Sequence, residues 1–154
     1  MHNKKDITKP CLRWVGGKTW LIKYLPQIIG DVVFENYHEP FLGGASFFLS
    51  IKPQKQAFLS DLNEELIKTY IALRDTPHDV IKVLYTYNND RDSYYKIRSE
   101  QPQDEITRAA RFIYLNQTSY NGIYRVNLNG EYNVPYGFRK KEFLNEKSLL
   151  AVSK

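Results

Sequence analysis

An α/β fold, with a parallel sheet giving way to a helical region, is what these 154 residues predict. Three observations carry the prediction. Short apolar runs rich in β-formers alternate with helix-period runs over residues 36–75. Helical spacing continues from Thr76 to Leu115 without a strand between. After it, two short runs flank Leu128-Asn129-Gly130, and Asn129-Gly130 supplies the positive-φ residues that a tight hairpin turn needs.

In chain order, Thr19 to Ile29 places Trp20, Leu21, Tyr24, Leu25 and Ile28 at helical spacing just after a Gly-Gly pair, which predicts a short helix behind a loop. Asn36-Tyr-His-Glu-Pro-Phe41 reads as a strand entering a glycine turn, with a helix over Ala45 to Ile51 packed behind it. Gln56 to Ser60 reads as a second strand ending at Asp61. Asn63 can then cap a helix whose apolar positions are Leu66, Ile67, Tyr70, Ile71 and Leu73. Strands alternating with helices imply parallel pairing. Further helices are expected over Pro77 to Tyr87, Ser93 to Arg98 and Asp104 to Leu115, then a hairpin over residues 123–135. This gives a first unit at 1–75, a helical subdomain with its hairpin at 76–141, and a return towards the first unit at 142–154.

Composition narrows the function. With 42% apolar residues the chain can bury a real core, so disorder is not expected. No apolar run reaches the roughly 20 residues that cross a bilayer, and Met1 to Asp6 leads into no apolar signal region; a cytoplasmic protein is expected. A single Cys11 allows no internal disulfide, and His2, His38 and His78 are too scattered to chelate a metal. The net charge of +5 is unevenly spread: residues 1–24 and 108–141 each carry +5, and 25–107 carries −5. The second basic block contains Arg108, Arg111, Arg125, Arg139, Lys140 and Lys141, which can neutralise phosphates. On charge alone this would be a solvated basic face. The aromatics interleaved with it, Tyr120, Tyr124, Tyr132 and Tyr136, argue instead for contact with nucleic acid.

Two glycine segments invite nucleotide readings. Gly16-Gly17-Lys18-Thr19 resembles the end of a P-loop, but the glycine required five residues before Gly17 is Leu12. Glu39 to Ser46 has only Gly43 and Gly44, so it lacks the G-x-G-x-x-G dinucleotide pattern. A glycine turn after a first strand, with Asp61 closing the second, still forms a shallow cleft where an adenosine-containing ligand can lie against backbone and hydrogen-bond its ribose hydroxyls to the acid. Taken singly, Trp14 serves as well as a core or lid aromatic, and Asp61 as a helix cap.

Arg125 is the only charged residue between Arg111 and Glu131. It lies on the first strand of the expected ribbon. A two-stranded ribbon fits the major groove, where an arginine bonds guanine O6 and N7 together and discriminates by about 1–3 kcal/mol.

Arg13-Trp-Val-Gly-Gly-Lys18, Glu39-Pro-Phe-Leu-Gly-Gly-Ala-Ser46 and the block from Asn116 to Gly137 resemble, in order and approximate spacing, the Dam-type (D12 class) DNA adenine-N6 methyltransferases. The resemblance implies the first part of a Rossmann-like S-adenosylmethionine-dependent methyltransferase sheet with an inserted helical DNA-recognition subdomain. It places Trp14, Gly17, Lys18, Pro40, Phe41, Gly43, Ala45 and Ser46 around S-adenosylmethionine and makes Asp61 the ribose-binding acid. The family normally has glycine where this chain has Ala45, which adds a methyl group near the cofactor's chain. Arg125 would read a guanine, Ile123 and Pro135 would touch bases, and Tyr120 with Asn121 would wedge into the duplex beside the target adenine. Asn133 and Lys140 complete the implied double-stranded DNA contacts, and GATC is the implied site.

The family's amine-binding Asp-Pro-Pro-Tyr does not occur in these residues. Asn133-Val-Pro-Tyr136 is similar but carries valine at the first proline and lies on the second hairpin strand, so it falls to recognition. No catalytic residue is assigned in this chain, which corresponds to about the first half of a typical member. The expectation is an inactive chain whose first strand leaves an open edge, which favours dimerisation with a second copy, pairing with a separately encoded carboxyl-terminal half, or aggregation; a truncated piece, a decayed gene product and one half of a split enzyme stay open as its origin. Two rivals remain open: a DNA-binding protein without catalysis, and a relative that stacks single-stranded RNA on Tyr120, Tyr124 and Tyr136.

Overall fold

A computed structural model describes residues 8–30 and 35–154. The sequence expectations for Met1 to Asp6 and for His2 lie outside those residues. The two predicted strands form, as β1 (Asn36–Glu39) and β2 (Gln56–Leu59), and they pair in parallel with Asn36 opposite Gln56 and Glu39 opposite Leu59. Alternation fixes the faces: Tyr37, Glu39, Ala57 and Leu59 are half-buried, while Asn36, His38, Gln56 and Phe58 are exposed. On the open face the rings of His38 and Phe58 stack at 4.6 Å.

The expected helix after the Gly16-Gly17 pair divides in two. A 3-10 turn over Thr19–Tyr24 leads into α1 (Leu25–Ile29). Pro26 lies in the first turn of α1, where its missing N–H has no partner to lose. Helix α2 (Ser46–Ile51) follows the glycine loop, and α3 (Glu64–Asp75) begins where Asn63 Oδ1 accepts from Leu66 N at 3.1 Å. Helices α4 (Pro77–Leu84), α5 (Arg91–Ser99) and α6 (Glu105–Thr118) come next. The last, α7 (Glu146–Val152), packs back on α3 and α4.

Helix α6 is the axis of the core. It packs against α3, α4 and α5, and Ala109, Ala110 and Phe112 to Asn116 are all buried in it. One apolar cluster runs from Leu66 and Leu73 on α3 through Val80 and Leu84 on α4 to Ile113 and Leu115 on α6. An ion pair of Arg108 with Glu65 ties α6 to α3 at the surface. The helix runs three residues beyond its sequence expectation. Its last turn is polar by composition but satisfied internally: Thr118 Oγ1 donates to Tyr114 O at 2.7 Å, and the buried Asn116 finds partners elsewhere.

Residues 123–135 do not form two regular strands. They make an antiparallel turn with one bridge, Val126 to Tyr132, and with Asn127 N bonded to Glu131 O and Asn133 N to Arg125 O. Gly130 takes a positive φ of +78°, but Asn129 is not among the left-handed residues. Asn127 explains the difference, because its Oδ1 accepts from Asn129 N and Glu131 N, and its backbone carbonyl accepts from Gly130 N. The result is a three-residue turn closed by a left-handed glycine.

Candidate functional site

The glycine loop leaves β1 and is held from three sides. Leu42 N donates to Ser60 O at 3.0 Å, continuing the pairing of the strands. Gly43 N donates to Asp61 Oδ2 at 2.9 Å, and Tyr70 OH donates to Gly43 O at 3.2 Å. Asp61 Oδ1 also accepts from Asn63 N at 3.0 Å, so this carboxylate fixes both the loop and the entry to α3. Each of its oxygens keeps a second lone pair. Burial pushes the Tyr70 hydroxyl well above its ordinary value, with Cys11, Glu39 and Asp61 adding to the rise; it stays a neutral donor.

Ala45 ends the loop in the left-handed conformation, φ 58° and ψ 25°, and is 2% exposed beside Leu42 and Leu49. The consequence of alanine visible here is therefore backbone strain. Ser46 is buried, and its Oγ lies 3.1 Å from Thr19 Oγ1. Pro40 and Phe41 are exposed, Phe41 to 81%. At the foot of the loop, Glu39 Oε2 accepts from Tyr37 OH at 2.8 Å and Phe48 N at 3.2 Å. Burial raises its pKa, and those two hydrogen bonds act the other way.

Trp14 connects this loop to the antiparallel turn over residues 123–135. A Cβ added at Gly43 would stand 2.9 Å from Trp14 Cδ1 and Nε1, and one at Gly44 would stand 3.1 Å from Trp14 Cβ. Only glycine allows the indole this close. Beyond it, the indole stacks on Tyr124 with centroids 6.1 Å apart and 22° between planes, and Tyr124 lies 5.3 Å from Phe112 of α6. Trp14 N-terminal neighbours are clamped by α6: Arg13 N donates to Asn116 Oδ1 at 2.8 Å, Asn116 Nδ2 to Arg13 O at 2.7 Å, and Gln117 Nε2 to Cys11 O at 2.7 Å. Lys18 instead folds back on its own turn, donating to Gly16 O at 2.6 Å, and Gly17 N bonds Trp14 O at 3.0 Å.

The antiparallel turn has two faces. Tyr124, Tyr132 and Val134 turn inward, with Tyr132 OH donating to Ile123 O at 2.7 Å, while Tyr94 OH and Arg98 Nη1 both donate to Val134 O. Arg125 and Pro135 are exposed, and Ile123 and Asn133 are half-buried. Arg125 Nε donates to Asn133 Oδ1 at 2.7 Å and Nη2 to Asn133 O at 3.3 Å. The guanidinium is thus oriented at the surface by the residue opposite. Behind the turn, a cleft of about 620 Å³ opens against Arg98, Arg111 and Phe112.

A second short pairing lies below. Tyr120 N donates to Pro135 O at 2.9 Å and Gly137 N to Thr118 O at 2.8 Å, bridging Ser119 to Tyr136. Ser119 and Tyr136 are buried there, whereas Tyr120 is 55% exposed. Asn121 takes a left-handed φ of 55°. Tyr136 reaches Asn89 with its hydroxyl and packs 5.2 Å from Tyr94, so it is a packing residue in this chain. Lys140 is exposed.

The structure therefore joins Trp14 closely to Gly43 and Gly44, sets Ser46 against Thr19, holds Asp61 against the same loop, and bonds Lys18 to Gly16 of its own turn. Sequence reasoning missed Tyr70, Asn116 and Gln117. Asn116 opens the block singled out by sequence, but its partner Arg13 is 103 residues away. Nothing local signals Tyr70.

A glycine loop held by an acid is thus linked through one tryptophan to an arginine-bearing turn. The family model for D12 class N6 adenine-specific DNA methyltransferases matches residues 14–154, and the chain belongs to that family. It is 36% identical to the type II methyltransferase M.MjaIII of Methanocaldococcus jannaschii over 95% of this chain and 58% of that protein. It is 33% identical to the type II methyltransferase M1.LlaDCHI of Lactococcus lactis subsp. cremoris, over 97% and 55%. With the DNA adenine methylase of Escherichia coli K12 it shares 34% over 90% and 51%. The chain spans about half the length of these curated relatives. Among the described residues no helix is long and apolar enough to cross a membrane.

Proposed function

We propose that this chain is the cofactor-loop and DNA-reading portion of an enzyme that methylates the N6 amine of adenine in duplex DNA, with GATC as its site. The observation that carries the reading is the link from Gly43 through Trp14 to Tyr124, which makes one unit of the loop and the turn bearing the exposed Arg125. S-adenosylmethionine supplies the methyl group. The residues fit it: Asp61 has lone pairs left for ribose hydroxyls, and Gly43, Ser46 and the exposed Phe41 border the loop. On the DNA side, Arg125 reads a guanine edge, Ile123 and Pro135 touch bases, and Asn133 orients the arginine. Tyr120 and Asn121 enter the duplex beside the target base, and Lys140 neutralises a phosphate.

The acceptors that hold the adenine amine are absent from these 154 residues, because Asp-Pro-Pro-Tyr does not occur in them. By themselves they transfer no methyl group. The complete site needs further residues that carry those acceptors, in the same polypeptide or in a separately encoded one. Labelled-methyl transfer to adenine by the 154-residue chain alone would overturn that statement.

Anisotropy titrations with a GATC duplex and a scrambled one test the reading. Arg125→Ala should erase the preference between them, a loss of about 1–3 kcal/mol of discrimination, whereas Lys140→Ala should weaken both equally and lower the salt slope by about 1. Equal loss on every sequence with Arg125→Ala would remove its base contact. Calorimetric binding of S-adenosylmethionine separates the enzyme reading from DNA binding without catalysis, which expects none.

A further inference from the structure

Two exposed side chains, Arg125 and Tyr120, hang on one stretch of three residues. Asn133 holds Arg125, because its Oδ1 accepts from Arg125 Nε at 2.7 Å and its carbonyl from Arg125 Nη2 at 3.3 Å. Pro135 O accepts from Tyr120 N at 2.9 Å. Between them Val134 is 2% exposed, so the stretch serves the surface at both ends and the core in its middle. The bridges on either side of it, at Tyr132 and Tyr136, are isolated. What fixes Val134 is α5.

Tyr94 OH and Arg98 Nη1 donate to Val134 O at 2.8 and 3.1 Å, which occupies both lone pairs of that carbonyl. The two donors are four residues apart and so share one face of the helix. Helix α5 is itself tied to α6, because Arg111 Nε donates to Ile97 O at 2.9 Å and Nη2 to Arg98 O at 2.6 Å. Hydrogen bonds thus run from the core helix through α5 to Val134, and by its two neighbours to Arg125 and Tyr120. Of the two donors Tyr94 is the rigid one: it is fully buried, with its ring 5.2 Å from Tyr136 and 6.3 Å from Tyr114, whereas Arg98 is half-buried. Phenylalanine would fill the same space. A buried hydroxyl costs stability unless it is bonded, so this one adds direction rather than bulk. Burial raises its pKa and keeps it a neutral donor.

We propose that Tyr94 is a positioning residue for sequence reading: without touching DNA, its hydroxyl holds residues 133–135 at the depth from which Arg125 meets a base edge and Tyr120 enters the duplex. The inference rests on the DNA-reading function proposed above and names what aims it. A guanidinium that must bond O6 and N7 together tolerates little displacement, so the hold acts on discrimination more than on overall affinity.

Tyr94→Phe keeps the ring and deletes the donor. In anisotropy titrations of the 154-residue chain, its preference for a GATC duplex over a scrambled one should fall about three- to tenfold, the worth of one hydrogen bond, with affinity for the scrambled duplex and the salt slope unchanged. Amide hydrogen exchange should speed at Tyr120 and Asn133, whose N–H groups are bonded to Pro135 O and Arg125 O. Tyr114→Phe is the control. It deletes a hydroxyl of an equally buried tyrosine, bonded to Asn88 O at 2.6 Å, and should lower Tm to a similar extent while leaving the preference and those two amides as they are. If Tyr94→Phe keeps the full preference, the positioning role is refuted while the DNA reading stands. If Tyr114→Phe loses the preference as much, the effect is general destabilisation and the role is equally refuted. A parent chain with no preference between the duplexes overturns this inference together with the GATC reading.

Discussion

Ala45 shows most directly how one side chain is forced into an unfavourable state by its surroundings. Its N–H donates to Leu42 O at 2.8 Å and its carbonyl accepts from Leu49 N at 3.0 Å, so both ends of the residue are committed. The chain must therefore take the left-handed turn, which costs an alanine about 1–2 kcal/mol. Glycine would remove that strain but lose more entropy on folding, about 0.4–1 kcal/mol. Ala45→Gly should therefore stabilise the chain by roughly 0.5–1 kcal/mol in urea unfolding, with an unchanged m-value. Destabilisation would mean that the buried methyl against Leu42 and Leu49 outweighs the backbone. The opposite substitution, Gly43→Ala, has no such compensation, because the new methyl meets the indole of Trp14 at 2.9 Å.

At the level of elements, two helix caps that the sequence reading did not name as caps give a pH prediction. Asp90 Oδ1 accepts from Ser93 N at 2.8 Å to cap α5, and Asp104 Oδ1 accepts from Thr107 N at 2.8 Å to cap α6. In each, the backbone hydrogen bond is the first cause that holds the carboxyl below its ordinary value. A carboxyl whose folded pKa is depressed stabilises the fold above its unfolded pKa, near 4, and loses that contribution as pH falls through the folded value. The chain should thus lose stability on acidification below about pH 4, and Asp90→Asn with Asp104→Asn should flatten that loss, because asparagine caps without titrating. An equal acid slope in the double variant would assign the acid sensitivity to other groups. Both strands and the helices of the middle region were legible because their signals are local, although α5 begins two residues before the expected Ser93. The turn over residues 123–135 was less so. Asn129-Gly130 announced a bend, but Asn127, by accepting two backbone N–H groups, selected a three-residue turn that the dipeptide rule does not foresee.

On the scale of the whole molecule, the connections between motifs were not legible at all, since they join residues distant in sequence. Sequence placed Trp14, Gly43 and Tyr124 in three separate motifs, and only the fold shows that one indole touches both others. Likewise Asp61 was legible as an acid closing a strand, but its grip on Gly43 N was not. Such contacts depend on the packing of α6 against α3, which brings the amino-terminal motif and the turn to one side of the core. If Trp14 is the strut between loop and turn, removing its ring should loosen two regions far apart in the chain. Trp14→Ala is therefore expected to speed amide hydrogen exchange at Gly43, whose N–H is held by Asp61, and also at Asn127 and Asn133, whose N–H groups close the turn. The accompanying loss for a half-buried ring is about 2 kcal/mol, or a Tm lower by roughly 4–8 °C. Uniform acceleration across α3 and α6 would indicate general destabilisation. Acceleration at the glycine loop alone, with the turn unchanged, would show that Phe112 holds Tyr124 without help from the indole, leaving the loop and the turn mechanically independent.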